Sequence, residues 1–175
     1  VDMEDYLKGV VPSEMPTSWA IDAVRAQSVA ARSYASRLKV DAAKGTGYDI
    51  CDTTSCQAYE PYAYTSGGRR HVNETARGNA AIKTTSRQIL TCGSYVACTR
   101  CSASNGGAEA DGGRPDLKAR VDSYDAKISK DAWRRKVTAA TLQRMYPSVG
   151  TVRSVQVTKR DGRGRWGGRP TAIKI

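Results

Sequence analysis

Glu14 stands in a sequence context that suits acid–base chemistry. Ser13 precedes it, Met15 follows it, and Pro12 and Pro16 flank all three, so proline restrains the backbone on both sides. A carboxyl group held in one place can donate a proton to a leaving group and later accept one. The local sequence also fits a capping or surface glutamate before a helix, so both interpretations stay open here.

Other residues with catalytic potential are few. His71 is the one histidine of the chain, which rules out a two-histidine zinc helix and leaves a single candidate for any nucleophile–histidine pair. It follows Arg69 and Arg70, a basic stretch that predicts a surface position. Glu109 and Asp111 form a candidate second carboxylate site for a hydrolase, although acids just after a glycine-rich loop are more typical of an exposed loop.

The cysteine content indicates an oxidising compartment. Five cysteines among 175 residues are many for a cytosolic protein. Their spacing suggests two pairs, Cys51 with Cys56 and Cys98 with Cys101, and leaves Cys92 over. The chain starts without an initiator methionine or an apolar leader, so we expect a processed or excised fragment.

The net charge of +11 is concentrated at the C-terminal end. Residues 1–113 carry 12 basic and 12 acidic side chains, whereas residues 114–175 carry 16 basic and five acidic ones. This imbalance suggests an anionic partner, either nucleic acid or a polyanionic surface, or else a solvated face. A nucleic-acid site would interleave basic and aromatic residues. Between Arg163 and Arg169 the sequence offers only Trp166, so we expect no nucleic-acid partner.

Two helices are predicted to position Glu14. Apolar residues from Met3 to Val11 recur at helical intervals, with Asp2 as the expected N-cap and Pro12 as the expected stop. Glu14 would then lie in a loop between this helix and the next.

The second predicted helix is rich in alanine and runs from residue 17 or 18 to residue 44, closed by Gly45. Gln27 and Tyr34 lie seven residues apart in it, so both project from nearly one face. Ala23, Ala26 and Ala30 form a stripe of small residues on this helix. A glutamine on the stripe needs a hydrogen-bond partner, either in the core or in a ligand.

The pattern changes after residue 47, where β-formers alternate with glycine. The predicted elements are a hairpin over 88–99 with its turn at Gly93-Ser94, a helix over 138–145, and strands over 152–157 and 171–175. Helices followed by strands indicate an α+β fold, in which a mostly antiparallel β region follows the N-terminal helices with a cleft between them. The expected lobes are residues 1–47 and 48–175.

Five stretches of the sequence carry a family resemblance. They are residues 4–16 (EDYLKGVVPSEMP), 23–34 (AVRAQSVAARSY), 49–59 (DICDTTSCQAY), 104–107 (SNGG) and the strands around 155–165. In this order they resemble the sporulation protein D / amidase-enhancer (SpoIID/LytB) family, and the first two are the most specific. Because the matches run from residue 3 to the end, the resemblance implies one SpoIID-like domain over residues 1–175.

The resemblance implies lytic transglycosylase activity on the glycan strands of bacterial peptidoglycan. Such an enzyme cleaves the bond between N-acetylmuramic acid (MurNAc) and N-acetylglucosamine (GlcNAc) and leaves a 1,6-anhydroMurNAc end. The C6 hydroxyl of the sugar itself attacks the anomeric carbon, so one carboxyl group serves as acid and then as base, whereas ordinary glycosidases need two. The glutamate of the family's Ser-Glu-Met-Pro block corresponds to Glu14, which is therefore the implied catalytic residue.

The resemblance also implies substrate-binding residues. They are Gln27, Arg32 and Tyr34 of the helix motif, Gln57 and Tyr59 of the cysteine motif, and Ser104 and Asn105 of the glycine loop. We expect Tyr59 to serve as a platform on which a sugar stacks, and the amides to bond N-acetyl or hydroxyl groups. For each residue the alternative is structural support of Glu14, and Arg32 in particular could pair with a buried acid.

Two positions depart from the family pattern. Ser55 stands where members often have a histidine before the second cysteine, which removes a candidate metal ligand. Asn105 replaces the usual serine of the glycine loop. The two cysteine pairs together could close a tetrahedral zinc site, but in an oxidising wall compartment we prefer disulfides, and no cofactor is expected.

The resemblance implies an extracytoplasmic, cell-wall location, with glycan strands as partner and a cell-wall amidase as a further candidate partner. Amidase-enhancer members imply an alternative function, a non-catalytic wall-binding or amidase-enhancing module. No apolar run approaches the roughly 20 residues that span a bilayer. We attribute the basic C-terminal segment to attraction to an anionic wall.

Overall fold

The computed structural model describes residues 1–42, 47–125, 134–164 and 167–175. These residues divide into two compact units, Val1–Cys101 and Ser102–Ile175. They form four α-helices and three small antiparallel sheets of two strands each, which confirms the predicted α+β class. The single domain over residues 1–175 and its lobes remain predictions.

Helix α1 (Met3–Glu14) continues through Pro12. The predicted stop at Pro12 is therefore wrong, and Glu14 is the last residue of the helix rather than a loop residue. Proline has no N–H to bond to the carbonyl four residues earlier, yet neighbouring bonds hold the turn together. Among them, the Ser13 hydroxyl donates to the Gly9 carbonyl at 2.7 Å.

Helix α2 (Ile21–Asp41) begins three or four residues later than predicted. The delay follows from a turn over the preceding residues, in which the Trp19 N–H donates to the Pro16 carbonyl at 3.1 Å. The predicted end of this helix, at residues 44–45, lies outside the described residues.

Side-chain caps begin two helices of the first unit. The Asp2 carboxylate accepts the Glu4 N–H at 2.9 Å, so Asp2 caps α1 as predicted. The Thr75 hydroxyl accepts the Gly78 N–H at 3.0 Å and begins helix α3 (Ala76–Thr84), which the sequence pattern did not predict.

The three helices bury one apolar cluster between them. Its fully buried members are Leu7, Val10 and Val11 of α1, Val24 and Ala31 of α2, and Ala81 and Ile82 of α3. Met3, Tyr6, Ile21 and Tyr59 pack against its edge. The cluster fixes α1, and with it Glu14, against the other two helices.

Two hairpins complete the first unit. Strands β1 (Ala63–Ser66) and β2 (Arg69–Val72) pair antiparallel, as do β3 (Thr91–Cys92) and β4 (Tyr95–Val96). Glycines with positive φ form the turns of both, and Gly93 has φ +59°. The hairpin predicted around Gly93 is confirmed, although its paired strands are shorter than the predicted ones.

In its described residues, the second unit has an α-helix and a hairpin. Helix α4 (Ala139–Met145) is confirmed, with Thr138 as its N-cap, and a 3₁₀ turn follows it. Strands β5 (Gln156–Arg160) and β6 (Pro170–Lys174) pair antiparallel, the first beginning later than predicted. In the part of the chain that the structure describes, no helix is both long and apolar enough to cross a membrane.

Candidate active site

The Glu14 carboxylate is oriented by a residue that lies outside helix α1. Its Oε1 accepts a hydrogen bond of 2.7 Å from the backbone N–H of Ala58. The Glu14 side chain is otherwise open to solvent at the C-terminal end of α1. A carboxyl group that is oriented by a main-chain donor and still accessible can meet a substrate.

A disulfide shapes the segment that supplies this N–H. Cys51 and Cys56 are bonded to each other, as predicted, and the loop between them ends immediately before Gln57. Gln57 is 7% exposed, and its Oε1 accepts a hydrogen bond of 3.2 Å from the Tyr6 hydroxyl. The disulfide loop thus leads directly into two residues that bond to α1.

The same segment then follows α1 toward its N-terminal end. The Glu60 N–H donates to the Gly9 carbonyl at 3.4 Å. A Cβ atom at Gly9 would lie 2.7 Å from the Tyr59 ring and would collide with the Glu60 carbonyl oxygen. Glycine is therefore required at residue 9 for the segment to lie this close to the helix.

Tyr6, which lies near the Glu14 carboxylate, belongs to a small group of tyrosines. The Tyr6 and Tyr59 rings stack at a centroid distance of 5.4 Å and an interplanar angle of 10°. Burial, together with smaller contributions from the nearby charges of Glu14, Tyr34 and Tyr59, raises the pKa of Tyr6 to about 12. Tyr6 therefore remains a neutral hydroxyl donor at physiological pH.

The stacked tyrosines also line a cavity of about 450 Å³. The disulfide loop contributes Ile50 and Cys51 to its wall, and α2 contributes Ala35. Its volume lies within the range of roughly 300–1,000 Å³ typical of small-molecule sites. Glu14 is not one of the described residues that line this cavity.

The Cys101 thiol also lies near Glu14. Partial burial raises the pKa of Cys101, the Glu14 charge raises it further, and a hydrogen bond with the Gln27 side chain acts in the opposite direction. The segment before Cys101 is anchored on α2, where the Thr99 hydroxyl donates to the Ala30 carbonyl at 2.6 Å. Glu14, Gln27 and Cys101 thus share one neighbourhood.

Comparison with known proteins identifies the family to which this architecture belongs. The sequence profile described as "Stage II sporulation protein" (SpoIID) matches residues 1–92, more than half of the chain, including α1, the disulfide loop and Ala58. The chain belongs to the SpoIID family. This result confirms the resemblance drawn from the motifs.

Individual SpoIID relatives support the assignment. The chain is 35% identical to the "Amidase enhancer" of Bacillus subtilis over 128 residues, 70% of this chain and 16% of that protein. It is 32% identical to the "Stage II sporulation protein D" of the same organism over 156 residues, 82% of this chain and 45% of that protein. The chain spans less than half the length of these relatives.

Arg32 of the SpoIID helix motif is buried, with 2% of its surface exposed. It forms a bidentate pair with Glu4, with Nε and Nη2 donating to the two carboxylate oxygens at 2.8 and 2.9 Å. Its guanidinium also donates to the carbonyls of Gln88 (3.1 Å) and Ile82 (3.3 Å). These contacts match the alternative that the sequence left open for Arg32, a structural pair with an acid.

Ser104 and Asn105 of the SpoIID glycine loop belong to the second unit. The Asn105 amide donates to Asp122 at 3.0 Å, and its Oδ1 accepts the Gly107 N–H at 2.9 Å. The Arg169 guanidinium donates to the carbonyl of Asn105. The Asn105 side chain is thus engaged in holding the loop, while Ser104 is exposed.

The remaining predicted residues of this SpoIID chain lie in the first unit. The half-buried Tyr34 and Gln27 project from α2, and Gln57 and Tyr59 follow the disulfide. Interactions with Tyr6, Cys101 or Glu14 connect each of the four to the neighbourhood of the carboxylate.

Sequence reasoning missed Tyr6 and Cys101. Tyr6 falls within the apolar repeat from Met3 to Val11, and its spacing of eight residues from Glu14 puts both on one helix face once the helix extends past Pro12. Cys101 was predicted to bond Cys98. The structure contradicts that pair, because Cys98 and Cys101 are not joined by a disulfide and the Cys101 thiol instead forms a hydrogen bond with the Gln27 side chain.

The structure also bears on the zinc alternative. Cys51 and Cys56 share a disulfide and cannot act as thiolate ligands in that state. Within the described ranges, no three His, Cys, Asp or Glu side chains are grouped so that they could hold a metal ion.

Proposed function

We propose that this SpoIID protein is a lytic transglycosylase that cleaves the MurNAc–GlcNAc bond of peptidoglycan glycan strands. The observation that carries the proposal is the Glu14 carboxyl group, accessible at a helix end and fixed by the Ala58 N–H beside a tyrosine cluster. One positioned carboxyl group is what the intramolecular reaction needs.

The proposed reaction uses Glu14 twice. Protonated Glu14 donates its proton to the glycosidic oxygen as the bond from the MurNAc anomeric carbon breaks, which frees a 4-hydroxyl on the GlcNAc. The C6 hydroxyl of the same MurNAc attacks that carbon, and its proton passes to the Glu14 carboxylate. The acid is thereby restored, a 1,6-anhydro end forms, and no water is consumed.

Residues around Glu14 would hold the strand. Tyr59, which already stacks on Tyr6, offers an aromatic surface to a sugar face. Gln27 and the Tyr34 hydroxyl supply polar groups for N-acetyl or hydroxyl substituents. Gln57 has a structural role in this proposal, because its side chain is buried and accepts a hydrogen bond from the Tyr6 hydroxyl.

We place the protein outside the cytoplasm at the cell wall. The Cys51–Cys56 disulfide supports an oxidising compartment, and the excess positive charge of residues 114–175 suits an anionic wall. Glycan strands are the proposed partner.

The reaction can be tested with glycan strands and mass spectrometry. Glu14→Gln should lower the formation of 1,6-anhydro ends by at least about 100-fold, because an amide can neither donate nor accept the proton. Glu60→Gln, an exposed glutamate of the neighbouring segment, is the matched control and should retain turnover. Formation of 1,6-anhydro ends by Glu14→Gln at the wild-type rate would overturn the proposal.

Water labelled with ¹⁸O separates this reaction from hydrolysis. A transglycosylase incorporates no ¹⁸O into the new end, whereas a hydrolase adds it at the anomeric carbon. Labelled reducing ends, lost in Glu109→Gln or Asp111→Asn, would instead establish a hydrolase that uses the carboxylates of the second unit.

The second candidate function is enhancement of a cell-wall amidase. The printed name of one relative, "Amidase enhancer", is the observation that favours it. Here a purified amidase would release more stem peptide from walls when the chain is added, and Glu14→Gln would enhance release as well as the wild type does. Enhancement without any anhydro product would support this function over catalysis.

A further inference from the structure

The β1–β2 hairpin carries an aromatic and cationic surface that the proposed reaction does not use. Tyr62, immediately before β1, is 57% exposed, and Tyr64 in β1 is 43% exposed. Two such rings on a short two-stranded hairpin bury little of their apolar surface within the chain. Their exposure therefore has no explanation in the packing of the first unit.

Each of these rings is paired with a nitrogen-containing side chain. The Arg70 guanidinium carbon lies 5.7 Å from the Tyr62 ring centroid, a cation–π geometry. Tyr64 and His71 are opposite each other in the strand register, and their rings stack at a centroid distance of 5.1 Å and an interplanar angle of 15°. The pairing orients the rings and reduces the entropy cost of binding a ligand on them.

Tyr62, Tyr64 and Arg70 line a single shallow cavity of about 230 Å³. This volume is below the roughly 300–1,000 Å³ of sites that enclose a whole small molecule. It suits one segment of a longer ligand that lies across the surface. Aromatic faces meet the C–H groups of a sugar ring, and a guanidinium donates to hydroxyl or carboxylate oxygens at its edge.

The hairpin is directly continuous with the segment that holds Glu14. Tyr62 lies four residues after Ala58, so an extended chain places it at most about 14 Å away. The hairpin base is fixed by two bonds from Asn73, whose side chain donates to the Pro61 carbonyl (2.6 Å) and whose N–H donates to the Tyr62 carbonyl (2.9 Å). A polymer bound at Glu14 can therefore extend onto a fixed surface that begins within about 14 Å of Ala58.

We infer that the β1–β2 hairpin is a second binding site for the acidic glycan strand, and that Tyr62, Tyr64 and Arg70 contact sugars several units away from the bond at Glu14. This inference rests on the proposed function for the identity of the ligand. The hairpin contributes affinity for long strands rather than chemistry, so its effect depends on ligand length.

The test measures binding of peptide-free glycan oligomers of two, four and six sugars to the full chain carrying Glu14→Gln, which keeps the ligand intact. In this background the affinity should rise with oligomer length. Tyr62→Ala with Tyr64→Ala should weaken binding of the six-sugar oligomer by about tenfold, the effect of two aromatic contacts, and leave binding of the two-sugar oligomer unchanged. Arg70→Gln should likewise weaken binding of the six-sugar oligomer and leave binding of the two-sugar oligomer unchanged.

Two control variants distinguish ring contacts from a general effect. Tyr62→Phe with Tyr64→Phe keeps both faces and should retain binding. Tyr146→Ala removes a tyrosine of the second unit that is 49% exposed, and it should also retain binding. Circular dichroism of every variant checks that the first unit remains folded.

Failure of this inference differs from failure of the proposed function. Equal affinity of the double alanine variant and its parent for six-sugar oligomers would overturn the hairpin site and leave catalysis by Glu14 standing. Absence of any length dependence in the parent would overturn it as well. Formation of anhydro ends by Glu14→Gln at the wild-type rate would overturn the catalytic assignment, whatever the hairpin binds.

Discussion

Ala58 and Glu14 lie 44 residues apart in the sequence and are joined by a hydrogen bond of 2.7 Å. The donor is a main-chain N–H, so any residue except proline at position 58 can supply it. The bond therefore depends on the path of the backbone after the disulfide rather than on the side chain at position 58.

Ala58→Pro should lower turnover about 10- to 100-fold, because a hydrogen bond to a charged group contributes roughly 1.5–3 kcal/mol. Ala58→Ser retains the N–H and should keep most of the activity. The measurement is the rate of formation of 1,6-anhydro ends at saturating substrate. Equal rates for the proline and serine variants would mean that the bond does not position the acid.

The disulfide should matter more for activity than for stability. A loop of about five residues is worth only about 2 kcal/mol of unfolding free energy in the chain-entropy account, yet it leads directly to Gln57 and Ala58. Cys51→Ser with Cys56→Ser should remain folded and lose most of its turnover. Cys92→Ser, which removes a thiol outside the disulfide, is the control and should behave like the wild type. Full activity of the double variant would contradict this prediction.

Gly9→Ala should destabilise the protein, although alanine is the better helix former. In an unobstructed helix this change stabilises by about 1 kcal/mol, whereas here the new methyl group meets Tyr59 and the Glu60 carbonyl. We expect a net loss of about 1–3 kcal/mol in the free energy of unfolding by urea. Lys8→Ala, at the neighbouring position of α1, removes an exposed side chain and should leave it nearly unchanged. A stabilised Gly9→Ala protein would show that the segment is not held against α1.

Substitution of Arg32 should lower the stability of the fold and leave the affinity for glycan unchanged. Arg32→Ala removes a buried guanidinium and leaves the Glu4 carboxylate, which is 33% exposed, without its partner. We expect a cost of about 2–3 kcal/mol, below that of breaking a pair in which both charges are buried. At a temperature where the variant is still folded, its affinity for glycan oligomers should equal that of the wild type. A folded Arg32→Lys protein with strongly reduced glycan affinity would instead support the substrate contact that the helix motif implied.

Tyr6 should lose its proton at a higher pH than an ordinary tyrosine. Its pKa is raised from 10.0 to about 12, chiefly by burial. Because the folded state binds this proton more tightly than the unfolded state, Tyr6 contributes stability below pH 10 that is lost as the pH rises toward 12. In ¹³C NMR of labelled tyrosines, one resonance should titrate near pH 12 and disappear in Tyr6→Phe. Titration of all resonances near pH 10 would contradict the burial of this hydroxyl.

Local patterns of the sequence predicted much of the fold. The apolar spacing of α1, its Asp2 cap and the glycine turn at Gly93 depend on residues close together in the chain, and all three are confirmed. Pro12 misled the prediction because proline usually ends a helix, whereas here the turn is held by bonds such as that from Ser13 to Gly9.

Contacts across long sequence distances could not be predicted in the same way. The motif resemblance singled out Glu14 and Gln57, but nothing local indicated that Tyr6 would bond Gln57 or that Ala58 would orient the carboxylate. Such pairs depend on how the disulfide loop lies on α1. The partner of Arg32 is also 28 residues away, so the sequence allowed either an acid or a ligand.

The contact at Gly9 bears on how this region can change during evolution. A side chain at residue 9 would meet not only the Tyr59 ring but also a main-chain oxygen, that of Glu60. A smaller residue at position 59 would relieve the first collision and leave the second. Variation at position 59 therefore cannot compensate for loss of the glycine, and in descendants that keep this geometry residue 9 stays glycine whichever side chain stands at position 59.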